Sequence, residues 1–156
     1  MMIRRAENKD IPKLTELLLQ VHLIHSDGRP DIFRRGAKKY TEDELAEIIG
    51  DEERPIYVAD IDGTVSGYAF CILKVTEGDK SLLDRRELYI DDLCVDEKMR
   101  GMHMGEALYR FVTEEAKRLG CYHVTLNVWS LNPGAMRFYE KMGMVPMKVM
   151  MENILT

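Results

Sequence analysis

The segment 88–128 constrains the fold most strongly, because it joins two strand patterns through a helix. Residues 88–95 form an apolar strand pattern, residues 104–119 carry an amphipathic helix pattern, and residues 123–128 alternate as a second strand. A strand–helix–strand crossover of this length is right-handed and makes its two strands parallel. The sequence therefore predicts a sheet that contains one parallel pair.

Two helices and an antiparallel meander are predicted before this segment. The elements are a strand at 3–7, a helix capped by Asn8 that runs to about residue 23, a turn-rich loop at 26–31, a helix opened by the capping box Thr41–Glu44 and ended by Gly50, and strands at 56–60 and 65–75. The pair Asp62-Gly63 between the last two strands is a strong hairpin signal. The strand at 88–95 completes the meander.

The remaining residues predict one more helix and a closing strand. Pro133 opens a helix that runs through Lys141, and residues 144–151 are apolar enough for a strand or hairpin. The expected fold is a single α/β (α+β) domain over residues 1–156. Its mixed, mostly antiparallel sheet has about six to seven strands and is flanked by about four helices.

Composition restricts the partners and the compartment. The chain of 156 residues has a formal net charge of −5, which argues against nucleic-acid binding. No run of 18 apolar residues and no signal peptide is present, so we expect no membrane partner. Three cysteines without C-x-x-C spacing indicate reduced, buried thiols in a cytoplasmic protein.

The loop between Val95 and the following helix is suited to phosphate binding, since glycines bracket it and a helix N-terminus follows. Gly105 is followed by Glu106 and Ala107, so the Lys and Ser/Thr of a nucleoside-triphosphate loop are absent. The dinucleotide fingerprint is absent too. The pyrophosphate loop of acyl-CoA-dependent acyltransferases and an ordinary strand-to-helix connection both remain open.

A second motif favours the acyltransferase interpretation. The segment 132–144, NPGAMRFYEKMGM, is similar to the pattern N-x-x-A-x-x-x-Y-x-K-x-G-F of the GNAT superfamily of N-acetyltransferases. The first motif resembles the superfamily's [Q/R]-x-x-G-x-[G/A] signature, except that His103 stands where its first glycine is usual. The resemblance covers nearly the whole chain in element order and implies acetyl-CoA as co-substrate, without a metal.

The resemblance also implies which residues contact the coenzyme. They are Leu93, Cys94, Val95, Arg100, Gly101, Met102, His103, Met104, Gly105, Glu106, Asn132 and Tyr139. In the family, a bulge splays the strand that corresponds to residues 88–95 from the next strand. The bulge frees backbone N–H groups around Leu93 to Val95. A phosphate cradle uses backbone N–H groups, so His103 can take the place of the usual glycine in it. Its backbone would be strained if its φ is positive.

Two carboxylates and one phenol are the candidate catalytic groups. The resemblance implies that Tyr139 protonates the thiolate leaving group and that Asp91 is the general base, with Asp92 in reserve and Glu87 a remote third. Adjacent strand residues point to opposite faces, so only one of the two aspartates is expected to face the acceptor cleft. Both could instead be counter-ions or hold nearby loops.

The acceptor side is predicted from the loop after the first helix. His25, Asp31 and Phe33 belong to a pattern that is similar to one in some relatives, where this loop forms a wall of the acceptor pocket. Trp129 is expected to line the same cleft. His22 and His25 could share a helix face, but no third metal ligand accompanies them.

The function expected from the sequence is transfer of an acetyl group from acetyl-CoA to a primary amine of a small molecule, protein or peptide, through a ternary complex. Two alternatives remain. One is a non-catalytic acyl-CoA-binding or sensing module, and the other is transfer to a hydroxyl or of a longer acyl chain. Homodimer formation through the closing strands is a tendency of the family that this sequence neither supports nor excludes.

Overall fold

A five-stranded mixed sheet organises the fold. The structure is a computed structural model and describes residues 1–156. The strands lie in chain order: β1 (Met2–Arg5), β2 (Ile56–Ile61), β3 (Thr64–Thr76), β4 (Arg85–Val95) and β5 (His123–Leu126). The first four are antiparallel, and β4 and β5 are parallel. The mixed α/β class and the crossover are confirmed, but the expected six to seven strands are wrong because residues 144–151 form no strand.

Four α-helices flank the sheet, as predicted. They are α1 (Ile11–Gly28), α2 (Glu42–Ile49), α3 (Met104–Arg118) and α4 (Pro133–Lys141), with short 3-10 turns at Asn8–Asp10 and Glu97–Met99. None of the helices combines the length and the apolar character needed to cross a membrane. The capping box of α2 is confirmed, since the Thr41 hydroxyl accepts from the N–H of Glu44 at 3.1 Å.

The bounds of α1 differ from the prediction at both ends. The helix begins at Ile11 rather than next to Asn8, and it continues to Gly28 instead of ending near residue 23. Ser26 is buried, and its hydroxyl donates to the carbonyl of Leu23 within the helix. Residues that favour turns therefore form the last helical turn, because burial and back-bonding satisfy the polar group of Ser26.

The two faces of the sheet are covered by different helices. On one face, Leu14 and Leu17 of α1 pack with Tyr68 and Phe70 of β3 in a core that α2 completes. On the other face, α3 and α4 pack against Leu88 and other apolar residues of β4. The sheet thus separates an α1/α2 layer from an α3/α4 layer.

A bulge and an early end of pairing shape the middle of β4. Phe70 pairs with Asp92 and Cys71 pairs with Ile90, so Asp91 is an extra residue without a partner in β3. The parallel pairing of β4 with β5 ends at Ile90 and Leu126. Residues 91–95 therefore have β3 on one edge and no strand on the other, which opens a gap in the sheet.

Candidate active site

The open edge of β4 presents two backbone donors. The N–H of Asp96 donates to the carbonyl of Ser66 in β3 at 2.8 Å. Since backbone groups alternate in direction along a strand, the N–H groups of Leu93 and Val95 point away from β3, into the gap. Cys94 instead directs its amide to β3 and is buried in the α1/α2 layer. The expected opening next to 93–95 is thus present, and two of its three residues supply donors.

The loop after β4 presents a second group of backbone donors. The first i to i−4 bond of α3 runs from Ala107 to the carbonyl of His103, and no group of the chain accepts from the amides of residues 102–106. His103 immediately precedes α3 in the left-handed conformation, with φ 56° and ψ 25°. The condition for strain at His103 is thus met, because φ is positive and the backbone lies where glycine is favoured.

Side chains leave the loop accessible. Arg100 is exposed and has no ion-pair partner within the chain, and the His103 side chain is 83% exposed. Gly101 has φ 88°, which favours glycine. A methyl group at Gly105 would lie 3.5 Å from the ring of Phe138, so α4 closely covers the start of α3. Free amides, a free cation and a helix N-terminus together fit a diphosphate.

The side chains of Asp91 and Asp92 lie on the same side of the sheet, contrary to the expectation that they point to opposite faces. Asp91 accepts a 3.0 Å hydrogen bond from the ammonium of Lys39, which precedes α2. Asp92 accepts a 2.7 Å bond from Tyr68, in the α1/α2 layer. The bulge is the reason, because one extra residue in β4 shifts the alternation of side chains.

The two carboxylates differ in their surroundings. Asp92 has its pKa raised by burial, with the hydrogen bond from Tyr68 and the charge of Lys39 working against the rise. For Lys39, burial opposes the charged form, but the bond and charge of Asp91 outweigh it and raise the pKa. Asp91 is therefore held in an ion pair, whereas Asp92 accepts from a neutral hydroxyl and has gained affinity for a proton.

Tyr139 lies on the other side of the gap. It is partly buried on α4, with its ring 6.2 Å from that of Tyr109 and 5.1 Å from that of Phe138. Its hydroxyl has no hydrogen-bond partner within the chain. Burial raises the pKa of Tyr139, and the nearby charge of Asp92 raises it further. The phenol is therefore protonated at neutral pH and available to an incoming group.

Three other predicted residues have local partners. The side-chain oxygen of Asn132 accepts from the N–H of Ala135 at 3.1 Å and caps α4, which leaves its NH₂ group free. Glu106 is paired with Arg110, and this bond lowers its pKa. Glu87 accepts a 2.6 Å bond from Thr125 of β5.

An aromatic cluster lies beside the carboxylates. Phe33 stacks on His25 at 5.1 Å and meets Trp129 edge-on at 5.4 Å. Burial lowers the pKa of His25, and the charge of Asp92 opposes this, which places the imidazole near that carboxylate. Asp31 is not part of the cluster, because Arg29 holds its carboxylate in a bidentate pair at 2.9 Å. The structure thus brings together three of the four expected wall residues.

Two residues next to the carboxylates were not anticipated as neighbours of the site. Lys39 is separated from Asp91 by 52 positions in the chain, and Tyr68 is one of several aromatic residues in strand patterns. A hydroxyl in the apolar run of β3 is a weak signal for a buried polar partner. Nothing in the sequence marks Lys39, because a lysine in a polar loop is ordinary.

Comparison with known proteins identifies the family. The profile of the Acetyltransferase (GNAT) family matches residues 19–144. The chain therefore belongs to the GNAT acetyltransferase family, as its two motifs and its fold indicate. Glucosamine 6-phosphate N-acetyltransferase of Arabidopsis thaliana is 35% identical over 65 residues, which are 42% of this chain and 42% of that protein. The match thus spans about two fifths of that curated relative.

Solved structures agree with the fold over the full length. A mutant of the BH1408 protein of Bacillus halodurans superposes with a TM-score of 0.95 at 29% identity, with 100% of both chains covered. The glucosamine-6-phosphate N-acetyltransferase of Arabidopsis thaliana superposes with a TM-score of 0.71 at 23% identity, covering 99% of this chain and 98% of that one. The latter likeness concerns the fold alone.

Proposed function

We propose that this protein transfers the acetyl group of acetyl-CoA directly to a primary amine, in a complex that holds both substrates. The observation that carries the proposal is the gap in the sheet at residues 91–95. Its edge presents free amides, with Asp92 on the α1/α2 side and Tyr139 on the α3/α4 side. A proton acceptor and a proton donor thus flank one opening.

Coenzyme binding is assigned to β4 and the loop that follows it. The free amides of residues 102–106 and the N-terminus of α3 would hold the diphosphate, with Arg100 as the cation. The N–H groups of Leu93 and Val95 would be shared between the pantetheine chain and the thioester carbonyl, and the free amide of Asn132 would also bind pantetheine. Bound acetyl-CoA supplies an acetyl group that is activated as a thioester.

Asp92 is our choice for the general base, in preference to Asp91. A primary amine has a pKa near 10.4, so roughly one molecule in 10³ is neutral at pH 7 and a base is useful. The pKa of Asp92 is raised, and its carboxylate accepts a proton at the oxygen that Tyr68 does not occupy or through a water. Asp91, held by Lys39, positions that ammonium at the edge of the acceptor pocket.

Tyr139 is proposed as the general acid, and the amides at the open edge as the fixed electrophilic donors. Its phenol keeps its proton at neutral pH and can give that proton to the sulfur as a thiol leaves. The N–H groups of Leu93 and Val95 are held by the β3–β4 ladder. They can therefore stabilise negative charge on a carbonyl oxygen without reorganising.

The acceptor pocket is assigned to the aromatic wall of His25, Phe33 and Trp129. Aromatic faces attract an ammonium group and stack against flat or ring-shaped molecules. The curated relatives named for glucosamine 6-phosphate support an amino sugar as one acceptor to test. Small amines and amino-terminal peptides are the others.

The decisive experiment measures thiol release from acetyl-CoA in the presence of these acceptors, with Asp92→Asn and Tyr139→Phe as variants. We expect turnover with at least one amine and a large loss in both variants, while calorimetry gives unchanged coenzyme affinity. Coenzyme binding without turnover on any amine would indicate a sensing module instead. Turnover with a hydroxyl acceptor alone, or with longer acyl-CoA alone, would indicate one of the other transfer reactions.

A further inference from the structure

His103 stands at the start of α3 in a backbone conformation that is costly for a residue with a side chain. Its φ is 56° and its ψ is 25°, and the one other residue besides glycine with a positive φ is Asp62, in the β2–β3 turn. Glycine is favoured in this region because it lacks the Cβ atom that clashes there. Strain of this kind is typical of functional sites. The imidazole of His103 is therefore a candidate for a role of its own.

The side chain of His103 has no role in holding the fold together. It is 83% exposed, and it makes no capping hydrogen bond to α3. The nearest charged group is the carboxylate of Glu106, which lies 3.9 Å from Nδ1. Arg110 already holds that carboxylate with bonds of 3.1 and 2.8 Å. The imidazole is thus free to turn toward a ligand, since exposed side chains change rotamer within nanoseconds.

The charges around the imidazole come from three elements. Helix α3 contributes the pair of Glu106 and Arg110, the loop contributes Arg100, and α4 contributes Lys141, whose charge acts on Glu106. The bond from Arg110 lowers the pKa of Glu106, so this carboxylate is ionised at neutral pH. An anion in the first turn of α3 competes with a diphosphate for the same positive helix end. A further cation beside the two anions relieves that competition.

We propose that the imidazolium of His103 binds the diphosphate of the coenzyme, as a titratable cation beside the permanent charge of Arg100. The inference rests on the coenzyme assignment made under the proposed function, in which the free amides of residues 102–106 hold the diphosphate. His103 belongs to that row of amides, so its ring nitrogens are within the length of one side chain of a phosphate held there.

Coenzyme affinity should therefore depend on pH. Imidazole is the side chain that changes its charge between pH 5 and 8, and only its protonated form adds a positive charge and donates from both nitrogens. A bound diphosphate favours this protonated form, so affinity is higher at the acidic end of the range and falls as pH rises. By linkage, the bound diphosphate raises the pH at which His103 loses its proton.

The first test measures binding of coenzyme A that lacks its 3′-phosphate, by calorimetry between about pH 5.5 and pH 7.5. This probe keeps the diphosphate but not the phosphate monoester, whose own charge changes near pH 6. For the intact protein we expect the dissociation constant to rise about three- to tenfold across the range. His103→Asn removes the titrating ring and tolerates a positive φ, so its affinity should be lower at acidic pH and change little with pH.

Arg100→Gln is the matched control for the first test. It removes a cation that does not titrate in this range, so it should weaken binding at every pH and keep the pH dependence. An intact protein whose affinity does not change with pH, or a His103→Asn variant with the same pH dependence, would overturn the proposal. Absence of binding heat with the intact protein at any pH would instead overturn the coenzyme assignment on which the proposal rests.

The second test follows the imidazole itself by proton NMR. The chain has four histidines, and the ring C–H resonance that is missing in His103→Asn identifies His103. When the probe is bound, we expect the titration midpoint of this resonance to move to higher pH by about 0.5 to 1 pH unit, which corresponds to the three- to tenfold change in affinity. A midpoint that stays in place or moves to lower pH would contradict a contact between the imidazolium and the diphosphate.

Discussion

The hydroxyl of Tyr68 donates a 2.7 Å hydrogen bond to the carboxylate of Asp92, and it comes from the core layer beneath α1. Tyr68 is fully buried, so the bond holds one carboxylate oxygen of Asp92 from within the core. This bond also works against the rise in the pKa of Asp92 that burial causes. The core of the protein therefore tunes the proposed base.

Removing that bond should shift the pH dependence. In Tyr68→Phe the pKa of Asp92 loses a lowering influence, so the acidic limb of the kcat/KM profile should move to higher pH. The same variant should lose about 1 kcal/mol of unfolding free energy, because one oxygen of Asp92 loses its donor. Tyr40→Phe is the matched control, because the hydroxyl of Tyr40 makes no hydrogen bond to Asp92. An acidic limb that stays in place would remove Asp92 from the role of base.

Loss of the Asp92 carboxylate should cost more than loss of Asp91. Asp92→Asn is expected to lower kcat by about 10² to 10⁴-fold, the range of general-base catalysis. Asp91→Asn frees Lys39 and should alter mainly the KM of the acceptor. Steady-state kinetics with both variants distinguishes the two roles. A larger fall in kcat for Asp91→Asn would restore Asp91 as the base.

The phenol of Tyr139 should be needed for turnover but not for coenzyme binding. Tyr139→Phe is expected to lower kcat by about 10² to 10⁴-fold, because the departing sulfur loses its proton donor. Its ring remains packed between Tyr109 and Phe138, so calorimetry should give a coenzyme affinity like that of the intact protein. Tyr122→Phe, at an 80% exposed position, is the control and should be fully active. Equal activity of both variants would argue against an acid at this position.

His103 is expected to store backbone strain. Its φ of 56° is costly for a residue with a Cβ atom, so His103→Gly should raise the unfolding free energy by about 1 kcal/mol. Met102→Gly, one position earlier and without a positive φ, should be neutral or destabilising. Chemical denaturation of both variants measures the difference. If the two substitutions change the free energy of unfolding equally, the positive φ of His103 does not lower the stability of the folded protein.

The Lys13–Asp96 ion pair should make stability depend on pH in acid. The pair joins α1 to the end of β4 at 2.8 Å, and the Asp96 side chain is 5% exposed. The bond from Lys13 outweighs burial and lowers the pKa of Asp96 below 3.8. The stabilisation is thus present above that value and is lost as pH falls through the lower pKa of the folded state.

The measurement compares intact protein with Asp96→Asn by urea denaturation. At pH 7 the variant should lose about 2 kcal/mol, because Lys13 remains partly buried without its partner. The difference should shrink as pH falls below 3.8, where the carboxylate of the unfolded chain becomes protonated, and should vanish below the lower pKa of the folded state. Asp62→Asn, in the exposed β2–β3 turn, is the control. A difference that does not vary with pH would exclude the ion pair as its source.

Local signals in the sequence determined much of this protein. The capping box at Thr41, the Asp62-Gly63 turn and the Pro133 helix start all act over a few residues, and each is found as predicted. The strand–helix–strand order was sufficient for the parallel pair, because the crossover has one favoured hand. The glycine-bracketed loop likewise indicated free amides before α3, since a helix start always has them.

Tertiary structure alone decided the rest. The bulge at Asp91 depends on how β4 registers against β3, and it turned two carboxylates that were expected on opposite faces to one side. Lys39 and Tyr68 reach these carboxylates only through the folding of distant segments. The segment 144–151 has the composition of a strand, but composition does not determine pairing, and its backbone bonds to no neighbouring strand.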